Sequence, residues 1–213
     1  YCERVAALAQ EALDMMISCA DTLRRGGAPD FEAMTMAQML SGLTMQLLGN
    51  SRAASGADHP IAHLVEMKPP RFENAHGIHG ECVGAGTVLC AAEYRRMARK
   101  TPKARPFEPL SGGWIREKFG YLAEGIIEEN KNDVLASFEP QNIVDNWQAI
   151  RDIVSAIPPA EELAALFKDL GGKYRLPDIG IDEALEPEIL DISAAIRNRL
   201  TLARMRRVLD FEE

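Results

Sequence analysis

The stretch NSRAASGADHPIAHLVEMKPPRFENAHGIHGECVGAGTVLC, residues 50–90, contains His59, His63, His76 and His79, the four histidines of the chain. It reads as two helical runs with a break at Pro69-Pro70. Pro60 is tolerated only in the first turn of a helix, so the first run should begin at about Asp58 or His59. His59 and His63 are four apart and therefore share a helix face, and His76 and His79 repeat the arrangement one step tighter. Imidazole is the commonest neutral metal ligand and titrates nearest neutrality, so four of them in so short a span point to a divalent-metal or acid/base site. The alternative is a set of solvated surface residues, because an H-x-x-x-H pair without a third ligand is a weak motif. Cys82 is close enough in sequence to ligate a metal, but a small buried residue is the simpler reading.

Outward from this stretch the chain is helical by period. Val5, Leu8, Ala12, Met15, Met16, Cys19 and Leu23 keep the spacing of an amphipathic helix that Gly26-Gly27 ends. Asp30 is placed to cap a second helix, Phe31–Leu48. That helix is so uniformly apolar that it should be buried on most sides, as the spine of the domain. Beyond the central stretch, His79–Arg99 reads as a buried helix whose Gly84 and Gly86 let another backbone pack close. The proline-rich segment 100–113 is a loop. Trp114–Asn130, Pro140–Ala156, Pro159–Leu170 and Glu188–Leu209 continue the helical period, and no run shows the period of a strand. The expected fold class is all-α, about eight helices in one domain over residues 1–213. The arginines of the last segment, Arg197, Arg199, Arg204, Arg206 and Arg207, read as a solvated helix face with snorkelling side chains rather than a phosphate or nucleic-acid patch.

Composition excludes several classes. With 32 Asp and Glu against 24 Lys and Arg, a net charge of −8, the chain has no electrostatic footprint for nucleic acid. No apolar run approaches the ~20 residues that span a bilayer, so no membrane role is expected. No signal peptide is evident. Cys2, Cys19, Cys82 and Cys90 form no C-x-x-C pair and read as reduced thiols, which gives a cytoplasmic expectation. The sequence also lacks a G-x-G-x-x-G after a strand, a Walker loop and a G-x-S-x-G elbow, so neither a nucleotide-binding half nor a serine nucleophile is recognisable. The start at Tyr1, directly inside a helical pattern, suggests a piece of something longer.

Two stretches carry a resemblance. GNSRAASGADHPIAHLVEM (49–67) followed by HGECVGAGT (79–87) resembles the glycerol-1-phosphate dehydrogenases, of the iron-containing alcohol dehydrogenase and dehydroquinate synthase-like superfamily. LPDIGI (176–181) and AAIRNRLTL (194–202) look like that family's C-terminal segment. The resemblance implies a dehydroquinate synthase-like helical domain, with the family's N-terminal NAD(P)-binding α/β domain outside these residues. It implies His59 and His79 as metal ligands, for Zn²⁺ by default and Ni²⁺ or Fe²⁺ as alternatives. His63 would contact substrate and serve catalysis. The family's third protein ligand, an aspartate, would lie before Tyr1, and His76 acquires no role. Asp58 stands where the family often has glutamate. Glycerol 1-phosphate and dihydroxyacetone phosphate are the implied substrates, and NAD or NADP the implied cofactor. Arg52 is a candidate for the substrate phosphate, the alternative being a surface arginine at a helix end. A glycerol dehydrogenase, a dehydroquinate synthase and a non-catalytic helical module binding metal or a partner chain remain as alternatives. Self-association into a homo-oligomer through an exposed apolar patch is a further expectation.

Overall fold

A computed structural model describes residues 1–212. The chain is all-α, with one small antiparallel sheet among the described residues. It divides into two compact units, residues 1–56 with 166–172 and residues 57–165 with 173–213. Among the described residues no helix is long and apolar enough to cross a membrane.

The first unit is built on a helical hairpin, α1 (Glu3–Arg24) and α2 (Phe31–Leu48). Gly26 at φ 79° turns the chain out of α1. Asp30 caps α2 as its residue type demands, its side chain accepting the Ala33 N–H at 2.9 Å. Gly49, left-handed at φ 73°, ends it. The seam between the two helices is narrow, with Val5, Ala12 and Cys19 buried on α1 and only Ala37 and Thr44 on α2. The expectation of a buried spine is therefore corrected. Phe31, Met36, Met39, Leu43 and Leu47 are all exposed, because within this unit α2 has a neighbour on one side and an all-round apolar helix needs several.

The second unit holds α3 (Asp58–Met67) and α4 (His79–Ala98) packed against each other. Ile61, Leu64 and Val65 of α3 and Cys82, Ala85 and Leu89 of α4 enter one hydrophobic core. Gly86 permits the close pairing, since a Cβ there would sit 2.9 Å from the Asp58 carbonyl oxygen. α10 (Glu186–Ile196) also packs against α3 and brings Ile189 and Ile192 into the same core. A second cluster gathers Met97, Leu135, Trp147, Val154 and Val208.

Three expected helices are broken, each for a visible reason. The segment from Trp114 divides into α5 (Gly112–Phe119) and α6 (Ala123–Asn130) at Gly120, which has φ 53° and no room for a Cβ beside Pro70. The Pro140–Ala156 segment divides at Asn146 into α7 (Gln141–Asp145) and α8 (Trp147–Ser155). After α9 (Ala160–Asp169), the last expected helix stops at Ile196, before α11 (Leu202–Met205). The carbonyls that this break orphans are taken by side chains. Arg204 Nη1 donates to Ala194 O at 2.7 Å and Arg197 O at 3.1 Å, and Asn130 Nδ2 donates to Ala195 O at 2.7 Å.

The arginines of this segment correct a second expectation. Arg204 is 0% exposed and its guanidinium meets Asp133 Oδ1 at 2.9 Å. Arg207 also reaches Asp133, and Arg206 faces Glu93 and Asp191 at 3.4 Å each. They tie the C-terminal segment to the rest of the second unit, with their acidic partners on other elements. The absence of strands is corrected too. β1 (Thr101–Ala104) pairs antiparallel with β2 (Leu209–Glu212), Pro102 opposite Phe211, and four residues are too few to display a period of two.

Candidate metal centre

α3 begins with Asp58 in its first turn, where a carboxylate complements the helix dipole. His59 follows it, and Pro60 sits where its missing N–H costs nothing. Ile61, Ala62, Leu64 and Val65 are buried, so the period of the helix leaves His59, His63 and Glu66 together on the opposite face. α4 presents His79 as its first residue. Ile78 N–H donates to Glu81 Oε2 at 3.0 Å, and this local bond holds the start of α4.

The packing of α3 on α4 brings the histidines of the two helices together. The His79 ring lies 5.3 Å from that of His59 and 5.7 Å from that of His63, centroid to centroid. Glu66 stands between two of them, accepting from His79 Nδ1 at 2.8 Å through Oε1 and from His63 Nδ1 at 3.0 Å through Oε2. Asp58 accepts from His59 Nδ1 at 3.2 Å and, through its other oxygen, from the Thr87 hydroxyl at 3.2 Å. The hydrogen bonds of His63 and His79 hold the Glu66 carboxyl below the usual carboxylate range. Burial pushes Asp58 up, but its bonds from His59 and Thr87 outweigh that and leave it lowered as well. Both carboxylates are therefore anionic at neutral pH.

His63, Glu66 and His79 each offer a ligand atom, and the three atoms lie within 4.8 Å of one another. Tetrahedral zinc ligands stand about 3.4 Å apart, so these atoms are near one another without being at the spacing of a bound ion. Imidazoles beside carboxylates suit Zn²⁺, Fe²⁺ and Ni²⁺ alike.

The sequence-predicted residues divide as follows. His59, His63 and His79 come together. His76 lies elsewhere in the second unit, its Nδ1 3.2 Å from Asn74 O and its ring against Gly180. Arg52 belongs to the first unit, in a short turn whose Asn50 side chain accepts the Arg52 N–H at 3.0 Å, and it lines a cavity of about 910 Å³ beside α1. Cys82 is a buried free thiol, its pKa raised by burial and then by the charges of Glu66 and Glu81. Sequence reasoning missed Glu66. The signal was there, since Glu66 follows His63 by three and His59 by seven, on the same helix face.

No family model matches the chain, and no solved structure matches it. Curated proteins do. The chain is 26% identical over 202 residues to a glycerol-1-phosphate dehydrogenase (NAD(P)+) of Halalkalibacterium halodurans, covering 95% of this chain and 44% of that protein. The protein of the same name from Geobacillus stearothermophilus is 26% identical over 204 residues, 96% of this chain and 44% of its own length. One from Methanothrix thermoacetophila is 34% identical over 89 residues, 42% of this chain and 24% of that protein. The chain spans less than half the length of the relatives it matches. The likeness runs along nearly all of this chain's own residues, and it is to proteins named glycerol-1-phosphate dehydrogenase.

Proposed function

We propose that residues 1–213 are the helical, metal- and substrate-holding part of an NAD(P)-dependent sn-glycerol-1-phosphate dehydrogenase, and that the nicotinamide is held by a segment outside them. The observation that carries this reading is the convergence of His59, His63 and His79 on the α3–α4 pair. The names of the relatives supply the reaction class. A bound divalent cation would supply Lewis acidity toward the carbinol oxygen, where negative charge develops as the hydroxyl proton leaves, and hydride would pass to the nicotinamide. His59 and His79 hold it, with Zn²⁺ the default and Ni²⁺ or Fe²⁺ alternatives. His63, one turn beyond His59, hydrogen-bonds the substrate and relays the hydroxyl proton. Arg52 is the proposed contact for the phosphate of glycerol 1-phosphate or dihydroxyacetone phosphate.

Zinc titration of the purified chain against a chromophoric chelator tests the assignment. His59→Ala and His79→Ala should each abolish stoichiometric binding, whereas His63→Ala should keep it. Full zinc occupancy in His59→Ala would overturn the ligand set.

A further inference from the structure

On the reading of the centre given above, we infer that Glu66 is a shared positioning residue, one carboxylate that fixes the tautomers of His63 and His79 together. The contact is two-sided. Oε1 lies 2.8 Å from His79 Nδ1 and Oε2 lies 3.0 Å from His63 Nδ1, one oxygen to each ring. The two histidines come from different helices, while Glu66 and His63 are three residues apart on α3. A carboxylate accepts and cannot donate. Each Nδ1 must therefore carry the proton. The lone pair of each ring is then at Nε2, the atom free to bind a cation in His79 and to accept the substrate's hydroxyl proton in His63.

This is the carboxylate–histidine–metal arrangement, with one carboxylate serving two rings. His59 has its own partner in Asp58, which Thr87 holds from the far side at 3.2 Å. Among the described residues, the hydrogen-bond partners of the Glu66 carboxylate are the two rings themselves. It acts on the site only through them, and its loss should disturb both at once.

The test uses the 213-residue chain labelled with ¹⁵N-histidine, stripped of metal by chelator at pH 8. Long-range ¹H–¹⁵N correlation reads which ring nitrogen bears the proton, and His63→Asn and His79→Asn variants assign the signals. Both rings should be in the Nδ1–H form, which an unrestrained histidine disfavours. Glu66→Ala should return both to the Nε2–H form. Glu66→Gln keeps the shape but has one acceptor oxygen, so it should hold a single ring. Zinc affinity should fall by about 10- to 100-fold in Glu66→Gln. In the zinc-loaded native chain both Nδ1 protons should persist.

Native rings in the Nε2–H form, tautomers unchanged in Glu66→Ala, or loss of both Nδ1 protons on zinc binding would each overturn the inference, the last because Glu66 would then itself be a ligand. Failure of the metal reading looks different. A native chain that takes up no zinc while showing both Nδ1–H rings, released by Glu66→Ala, would sink the metal assignment and leave the clamp standing.

Discussion

Arg204 shows what one residue does once it is inside. Its side chain has no exposed surface, yet all its nitrogens find partners: Nε and Nη2 meet Asp133, Nη2 also reaches Asn130 Oδ1 at 2.6 Å, and Nη1 takes the carbonyls at the end of α10. Removing one member of a buried pair strands the other without water. Arg204→Ala should therefore destabilise the chain by about 3–5 kcal/mol, read from urea unfolding. A loss under about 1 kcal/mol would mean that the arginine is dispensable. Asp133 supplies the pH dependence. Burial raises its pKa, but the bonds from Arg207 and the Leu135 N–H and the charge of Arg204 outweigh that, and the folded value lies below the ordinary one. The sign follows directly: its stabilising contribution is complete above the unfolded value near pH ~4 and is lost as pH falls through the lower folded value. Urea midpoints measured from pH 7 to 3 should drop below pH 4. Asp133→Asn should flatten that drop while lowering stability at pH 7.

Among elements, the α3–α4 pair matters most, because it positions the histidines. Its closeness depends on Gly86, whose absent Cβ would lie 2.9 Å from Asp58 O and 3.3 Å from Ile61 Cβ. One neighbour is backbone and cannot swing aside. Gly86→Val should cost about 1–3 kcal/mol by overpacking. It should also weaken zinc binding, because His59 rides on the helix that is pushed away. Gly125 is the contrast, a glycine within α6 with open space where its Cβ would be. Gly125→Ala should stabilise by about 0.5–1 kcal/mol, on helix propensity alone, and leave zinc affinity unchanged. Thermal unfolding with a chelator competition assay checks both variants, and equal zinc affinity in native and Gly86→Val chains would show that the pair's spacing does not govern the centre.

For the whole molecule, the prediction concerns what these residues cannot do alone. Hydride transfer needs the nicotinamide held within about 3–3.5 Å of the carbinol carbon, and orientation of that kind is worth about 7–11 kcal/mol of barrier. No nucleotide-binding motif occurs in the sequence, and the chain spans 44% of the length of its first relatives. Incubated with glycerol 1-phosphate, NAD or NADP and Zn²⁺, the chain should give no reduced nicotinamide above a no-enzyme blank. Metal-dependent turnover would mean that these 213 residues hold more of the active centre than we assign to them.

The sequence by itself determined what is local. The start of α3 at about Asp58 or His59, the span of α2, the Asp30 cap and the all-α class follow from proline geometry, capping chemistry and the helical period, which act over a few residues. The position of the histidines on one helix face was legible for the same reason. Tertiary structure decided the rest. Glu66 meets His79 across thirteen residues and two helices, Arg204 meets Asp133 across seventy-one, and β1 finds β2 across a long stretch of intervening chain. Whether α2 is buried depends on what packs beside it, and its own apolar residues cannot state that. Contacts of this kind are set by which surfaces meet when the core closes, and no periodicity within a segment records its partner.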